Sequence, residues 1–542
     1  MDTKSSPNPP NKFDKESEIP AEVVKFIVYM KKLYDNRSVN ELKQVYDQGF
    51  IDISEKYYLE KPWPNPSAIE KVITNPKEHF MIIYKEIYYR DIYYKSIKKA
   101  LPLDIQCESF TNLSSFFSLL LNSDIENEHP VTFLLPANWI WDIIESFINQ
   151  YVSFCHYKAN PSLRTIEENQ QLEEIEKNKE YWNIYTVLNI LYSLISKAQI
   201  NDQLIAIKNG NNPDDIANEF GRNDLYFKVG YFAMIGLLRL QVHLGDYNEA
   251  LQCVENFSLE PKGLFTTVPN CYITVYYYIA FGHMMTRNYI EAIKLFEICS
   301  LYIQKITNVY ILQNLSYSKK NKELEIFNIF QDKVLILLAI CLTITPQKIE
   351  ESIKTLLHDK YDETYNRMIS GDITEYEKNF MIGAPKFISP NCVVYEGNSI
   401  SRQSLQRQCS AFINCMRGQV WTPVVRSYLK LYNTLTINKL SHLMDLSTNN
   451  VMSKILHFKK ATSITGRNEV LKRNDDDYED TTLDLDFYID DEVITIADTH
   501  ITRNVSDYFL KNSLKFKALS VKAKAINLNG RSVTSRRNPD RK

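Results

Sequence analysis

The chain has 542 residues, with 63 Lys and Arg against 66 Asp and Glu, a formal charge of −3. Its 44% hydrophobic and 24% charged content excludes a disordered, collagenous or rod-like coiled-coil chain, and its length holds roughly three to four domains' worth of residues. The near-zero balance argues against a nucleic-acid binder held by bulk charge; 14 glycines, where average usage would give about 38, leave few backbone phosphate cradles and favour helix.

The nine cysteines form no C-x-x-C pair, and several lie inside apolar helical runs, so they are read as reduced thiols of an intracellular protein. Residues 1–20 are polar and Pro-rich and are expected to be a disordered tail without an apolar leader core. The apolar runs read as shorter than the roughly 20 residues a membrane span needs, so no membrane is expected as a partner.

Helical spacing begins at Ala21 with Val24, Ile27 and Val28. A Pro-punctuated break follows over residues 61–66. Residues 80–97 are rich in tyrosine, and Tyr84, Tyr88 and Tyr89 share a helix face; with 35 tyrosines in the chain, a helix core is the reading rather than a base-stacking surface. Residues 136–157 carry a wide apolar stripe of Trp139, Ile140, Ile143, Ile144, Phe147, Ile148 and Tyr151, with Asn138 as N-cap, and should lie inside a bundle or solenoid. Residues 167–180 read as a charged, solvated turn or helix edge, and 182–196 as apolar helix.

Residues 231–304 contain one pattern twice. An apolar helix, a turn at Gly245-Asp246 and a helix opening Tyr247-x-x-Ala250 are followed by a second apolar helix, a turn at Arg287-Asn288 and Tyr289-x-x-Ala292. The two tyrosines are 42 residues apart, as in a tetratricopeptide-like hairpin, where a small Ala admits a second helix and the aromatic packs under the turn. A fainter third copy, after a polar stretch near residue 320, has an apolar run over 334–343, a helix opening at Pro346, and Ile349 to Ser352 in the Tyr-x-x-Ala place.

Thr422 is expected to cap a helix opening with Pro423. A second helix covers residues 437–446, and Ser447 caps a third with Val451, Met452, Ile455, Leu456 and Phe458. Two β-type runs, 485–489 and 493–496, flank a turn at Asp490-Asp491-Glu492. Three helices followed by a hairpin is a winged-helix order. Helix returns over 501–526.

No phosphate loop, dinucleotide fingerprint, nucleophile elbow or H-E-x-x-H motif occurs in the sequence, so no catalysis, cofactor, metal or small-molecule substrate is expected. Residues 475–492 hold ten acids and no base; residues 511–542 hold ten bases and one acid, Asp540. The basic end, including Arg531, Arg536 and Arg537, is open to three readings: RNA phosphate contact, a solubilising tail, or a tail folded on the acidic run. Lys454, His457, Lys459 and Lys460 on the third helix admit the same RNA reading beside that of a solvated face.

Helical repeats feeding a winged helix are the plan of PCI-domain proteins. The runs GYFAMIGLLRLQVHLGDYNEAL (230–251), WNIYTVLNILYSLI (182–195), VPNCYITVYYYIAFGHMMTRNYIEAI (268–293), PKFISP (385–390), RSYLKLYNTLTINKLSHLMDL (426–446) and DFYIDDEVITIADT (486–499) resemble the subunit L family of eukaryotic translation initiation factor 3, in order and over most of residues 21–516. The fold expected is mainly α, a solenoid of TPR-like helix pairs ending in a PCI-type winged helix with a small β-hairpin and a C-terminal helix. The expected parts are a tail 1–20, an N-terminal helical region 21–225, TPR-like repeats 226–421, a winged helix 422–500, an interface helix 501–526 and a basic tail 527–542.

The resemblance implies a non-catalytic cytoplasmic scaffold subunit that supports small-ribosomal-subunit and mRNA recruitment. Its implied partners are other initiation factor 3 subunits, with subunits K and E as neighbours, and the small ribosomal subunit. C-terminal helices of that family gather into a bundle, which here assigns Val505, Phe509, Leu510, Leu514 and Phe516 to a subunit interface. The strand around Val493 and Ile496 is expected to be an edge for pairing with a neighbour. Two other readings are a subunit of another PCI assembly, such as the proteasome lid or signalosome, and a free helical-repeat adaptor for peptide tails.

Overall fold

The computed structural model describes residues 19–59, 61–73, 78–96, 101–121, 129–160, 165–178, 181–259, 263–312, 318–390, 403–471 and 485–525. The chain forms two compact units, Met1–Asn414 and Cys415–Lys542. The expected N-terminal tail to residue 18, the acidic run up to residue 484 and the basic end beyond residue 525 lie outside the described residues.

The described residues of the first unit form helices and connections. Its first ten helices are α1 (Ala21–Asp35), α2 (Val39–Gln44), α3 (Phe50–Tyr57), α4 (Pro66–Val72), α5 (Glu78–Lys95), α6 (Leu103–Leu121), α7 (Ala137–Ala159), α8 (Ile166–Asn178), α9 (Ile184–Lys197) and α10 (Ile200–Lys208). Tyr84 of α5 is fully buried and donates to the Pro64 carbonyl at 2.8 Å, and Tyr89 donates to Glu108 at 3.1 Å. The tyrosine stripe is therefore packing, with hydroxyls satisfied at its edges. The broad stripe of α7 is buried throughout, from Trp139 to Tyr157. Asn138 is not its cap. Pro136 holds that position, and the Asn138 amide reaches Asp47 at 3.2 Å.

The charged stretch after residue 165 is a regular helix, α8, where the sequence suggested a turn or helix edge. Its start is a capping box: Thr165 N–H donates to the Glu168 carboxylate at 2.9 Å, and Glu168 N–H donates to Thr165 Oγ1 at 3.2 Å. Asn183 caps α9 by accepting from Tyr185 N–H at 3.2 Å.

The second half of this unit comprises α11 (Asp224–Leu244), α12 (Tyr247–Cys253), α13 (Pro269–Met285), α14 (Tyr289–Leu312), α15 (Ser318–Ile344), α16 (Glu351–Ile369), α17 (Ile373–Gly383) and α18 (Gln403–Gln419), the last crossing into the second unit. The two repeats expected from the sequence are both present as helix pairs, α11 with α12 and α13 with α14. Gly245 turns the first with φ +88° and Arg287 the second with φ +68°. Ala250 and Ala292 are fully buried, as close helix approach requires. Gly230 meets α9 so closely that a Cβ there would lie 2.6 Å from the Ala198 methyl. The third copy differs: α16 opens at Glu351, not Pro346, because Glu350 N–H is taken at 2.7 Å by Glu297 of α14 while its backbone stays extended. The expected domain boundary at 225/226 falls inside the first turn of α11.

Two helices, Asp224–Leu244 and Leu324–Ile344, are long and apolar enough to cross a membrane, contrary to the sequence reading. Their windows are 83% and 67% buried inside the unit, and a helix covered by neighbours on all sides is apolar all round.

The second unit comprises α19 (Thr422–Leu431), β1 (Thr434–Thr436), α20 (Ile437–Met444), α21 (Thr448–Leu471), β2 (Leu485–Asp490), β3 (Val493–Asp498) and α22 (Thr499–Ala525). Trp421, not Thr422, sits at the cap of α19, and Pro423 falls just inside its first turn. Thr436 caps α20 by accepting from Lys439 N–H at 3.3 Å. Its core joins Val425, Leu429, Leu440, Val451, Ile455 and Phe458 of the helices to Leu435, Phe487 and Ile494 of the sheet. The antiparallel strand order is β1-β3-β2, with Leu435 opposite Ile494 and Phe487 opposite Ile496. Asp491, with φ +50°, makes the β2–β3 turn.

His243 of α11 is buried between Tyr278, Arg239 and the Lys386 carbonyl, which its Nδ1 meets at 2.6 Å. Burial, then the Arg239 charge, hold the ring well below its usual pKa; the hydrogen bond to the Lys386 carbonyl opposes this, and the His156 and Lys386 charges add to it. A group depressed in the folded state costs stability as pH falls below its unfolded value near 6.5. Buried Glu86 and Glu145 are raised and act in the opposite sense. We therefore expect the stability gap between the natural chain and His243→Gln to narrow by about 1.4 kcal/mol from pH 7.5 to about 5.5. Urea midpoints at the two pH values measure it; a constant gap contradicts a neutral buried ring.

Candidate assembly surface

Helix α22 has the least covered apolar surface in the second unit. Tyr508, Phe509, Leu510, Leu514, Phe516, Leu519 and Val521 are each between 59% and 71% exposed. At 100° per residue these fall into two stripes. Tyr508, Phe509, Phe516 and Leu519 share one, in register with Val505; Leu510, Leu514 and Val521 lie nearly opposite. Lysines flank the stripes, with Lys511 and Lys515 in one register and Lys517 in the other. A helix resting on one surface needs one apolar stripe; two opposed stripes fit insertion between two apolar neighbours. Burying each large side chain contributes about 1.5–3 kcal/mol, so the exposed set is a strong drive to associate.

The sheet corrects a sequence expectation. Strand β3 is central, paired to β1 on one side and β2 on the other, so Val493 and Ile496 offer no unpaired backbone edge. Ile496 N–H donates to the Asn433 carbonyl at 2.9 Å, and its side chain packs on the core. Val493 is 38% exposed on the opposite face, beside Tyr488. The missed element is the three-residue Thr-Leu-Thr strand, whose exposed-buried-exposed alternation is too short to stand out from its helical flanks. The edge strands are β1 and β2, and on β2 the Phe487 carbonyl accepts from Lys459 Nζ.

That bond also places one of the lysines of α21. Lys459 reaches back to the sheet, and Lys454 Nζ lies 3.7 Å from the centre of the Trp421 ring, where burial lowers its pKa. Lys460 is exposed. Arg531, Arg536 and Arg537 lie outside the described residues.

Among the described residues, no three His, Cys, Asp or Glu side chains come together to hold a metal ion. The described cysteines are unbridged, and burial pushes the Cys107 and Cys253 thiols up to about 11, away from nucleophilic use. A cavity of about 510 Å³ in the first unit is walled by Tyr46, Phe50, Tyr58 and Phe327. Within its lining Asp91 pairs with Lys95 at 2.5 Å and Asp142 with Arg90 at 3.6 Å.

A family model described as RNA polymerase I-associated factor PAF67 matches residues 105–516. Proteins named eukaryotic translation initiation factor 3 subunit L are similar over nearly the whole chain. The one from Brugia malayi is 42% identical over 519 residues, covering 94% of this chain and 92% of its own. That of Caenorhabditis elegans is 42% identical over 516 residues, covering 95% and 94%. That of Danio rerio is 36% identical over 496 residues, covering 91% and 83%. Identity at this level, continuous through both helical units and the small sheet, means that the chain belongs to the eukaryotic translation initiation factor 3 subunit L family.

Proposed function

We propose that this protein is a non-catalytic scaffold subunit of the cytoplasmic initiation factor 3 assembly, held in it chiefly through α22. The observation that carries the scaffold reading is the seven large apolar side chains exposed on that one helix. Phe509, Leu510, Leu514 and Phe516, with Val505 in register, form the subunit interface. The helix–strand–helix–helix–hairpin order supports a PCI-type winged helix over residues 422–500, preceded by TPR-like repeats over 226–421 and an N-terminal helical region over 21–225. Residues 501–526 are the interface helix, and 1–20 and 527–542 are tails. Subunits K and E are the proposed neighbours, and the small ribosomal subunit the platform. Lys454, Lys459, Lys460, Arg531, Arg536 and Arg537 are the proposed RNA contacts, of which Lys454 and Lys459 also have partners within their unit.

A tagged chain drawn from native lysate, run on a density gradient and read by mass spectrometry tests the reading. The expected result is co-sedimentation with small ribosomal subunits and other initiation factor 3 chains. Recovery with proteasome-lid or signalosome chains, with RNA polymerase I, or as a lone monomer would overturn it.

A further inference from the structure

Four helices of the first unit, α7, α11, α13 and α15, pack one on the next in that order. The non-helical segment 384–390, with Gly383 before it, runs across them, and each helix meets its main chain. Tyr277 of α13 donates to the Gly383 carbonyl at 2.6 Å. Lys333 of α15 donates to the Ala384 carbonyl at 3.3 Å. His243 of α11 donates through Nδ1 to the Lys386 carbonyl at 2.6 Å, while its own carbonyl accepts from Ile388 N–H at 2.9 Å. Lys158 of α7 donates to the Pro390 carbonyl at 3.2 Å.

The two His243 bonds bracket Phe387 as a neighbouring strand would. Phe387 and Ile388 are 3% and 5% exposed, and the Phe387 ring lies 6.0 Å from that of Phe281. Lys386, between buried Pro385 and Phe387, is exposed. The segment thus has its main chain read by groups from four distant helices and its Pro385, Phe387 and Ile388 side chains taken into the interior. That is how repeat proteins hold an extended peptide, with main-chain bonds giving affinity and side-chain pockets giving specificity.

We propose that this helix face is a peptide-binding site for an extended ligand with a Pro-x-aromatic-aliphatic core, and that segment 384–390 is its resident ligand, bound in cis. The inference goes beyond the assembly reading and does not depend on it. It also separates this chain from a free adaptor for peptide tails: the face that would take a tail is filled by the chain itself. A short tether gives the resident segment an effective concentration of order millimolar, so a free peptide of the same sequence competes poorly.

The probe is a fluorescein-labelled peptide of sequence GAPKFISPN, residues 383–391, titrated with the full chain and followed by anisotropy. The unaltered chain is expected to bind it at least tenfold more weakly than the variant Phe387→Asp, whose segment a buried carboxylate expels. A probe with Asp in place of its Phe should bind neither. Ile388→Ala, a milder loosening, should give intermediate binding if Phe387→Asp does not fold. Equal binding by the unaltered chain and a folded variant overturns the proposal, as does a folded variant that binds no probe. Hydrogen exchange in the unaltered chain is a third arm: excess unlabelled peptide should trap the open face and speed exchange at Ile388, and no acceleration overturns the proposal even if both variants unfold.

Discussion

Phe509→Asp with Phe516→Asp is expected to remove the full-length chain from the assembly while leaving both units folded. The two side chains are 66% and 71% exposed in the isolated chain, so the substitutions cost the monomer little. In a covered interface each would bury an unpaired carboxylate at several kcal/mol, and about 4 kcal/mol is already nearly a thousandfold in affinity. The opposite stripe is the sharper test. Leu514→Asp with Val521→Asp should be as damaging, because α22 is apolar on two faces. Deleting residues 501–542 should match either pair, with the thermal transition of the first unit unchanged. Co-purification with the other subunits measures all three. Normal yield from both double variants would mean that α22 is not the interface. Loss from only one would mean that the helix lies on a single surface.

Trp182→Ala is expected to cost the first unit about 3–5 kcal/mol, the range for removing a large aromatic from a core. Trp182 is 3% exposed, and its ring lies 4.8 Å from Phe110, 5.8 Å from Phe147 and 6.3 Å from Tyr151. Its indole N–H donates to the Gln106 carbonyl at 3.0 Å, tying the entry of α9 to α6. Truncation opens a cavity in a close-packed wall and leaves that carbonyl without its partner. Trp182→Phe, which keeps much of the volume and loses the bond, should cost less than half as much. Urea unfolding followed by far-ultraviolet circular dichroism measures both. A loss below about 1 kcal/mol for the alanine variant would show that the wall relaxes around the gap.

Helices with a broad apolar stripe were legible along the chain because burial and period coincide. Trp139 to Tyr151 read as a buried face and are one. The repeats were legible through the Tyr-x-x-Ala pairs, since only a small residue admits the second helix. Boundaries were less so. Asn138 has the chemistry of a cap but lies two positions too late, its amide drawn to Asp47, ninety-one residues away in sequence. Glu350 is held out of α16 by Glu297, a residue that no local window contains.

The candidate surface was half legible. The exposed residues of α22 could be named from sequence because large apolar side chains interleaved with lysines along one helix mark a surface made for a partner. That its apolar positions form two stripes also follows from register alone. The role of Val493 and Ile496 did not. A strand's position in a sheet depends on what pairs with it, and β1 lies far from the hairpin in sequence. Nor did the intramolecular partners of Lys454 and Lys459, the Trp421 ring and the Phe487 carbonyl.

Composition, periodicity and the family blocks thus settled the mainly helical architecture, the paired repeats and the class of protein, because each is written in local spacing or residue identity. Strand order, helix starts set by remote carboxylates, the intramolecular partners of Lys454 and Lys459, and the threading of segment 384–390 across four helices came only with the folded chain. Each depends on hydrogen bonds and ring contacts between residues distant in sequence, and a local pattern does not record which distant group arrives.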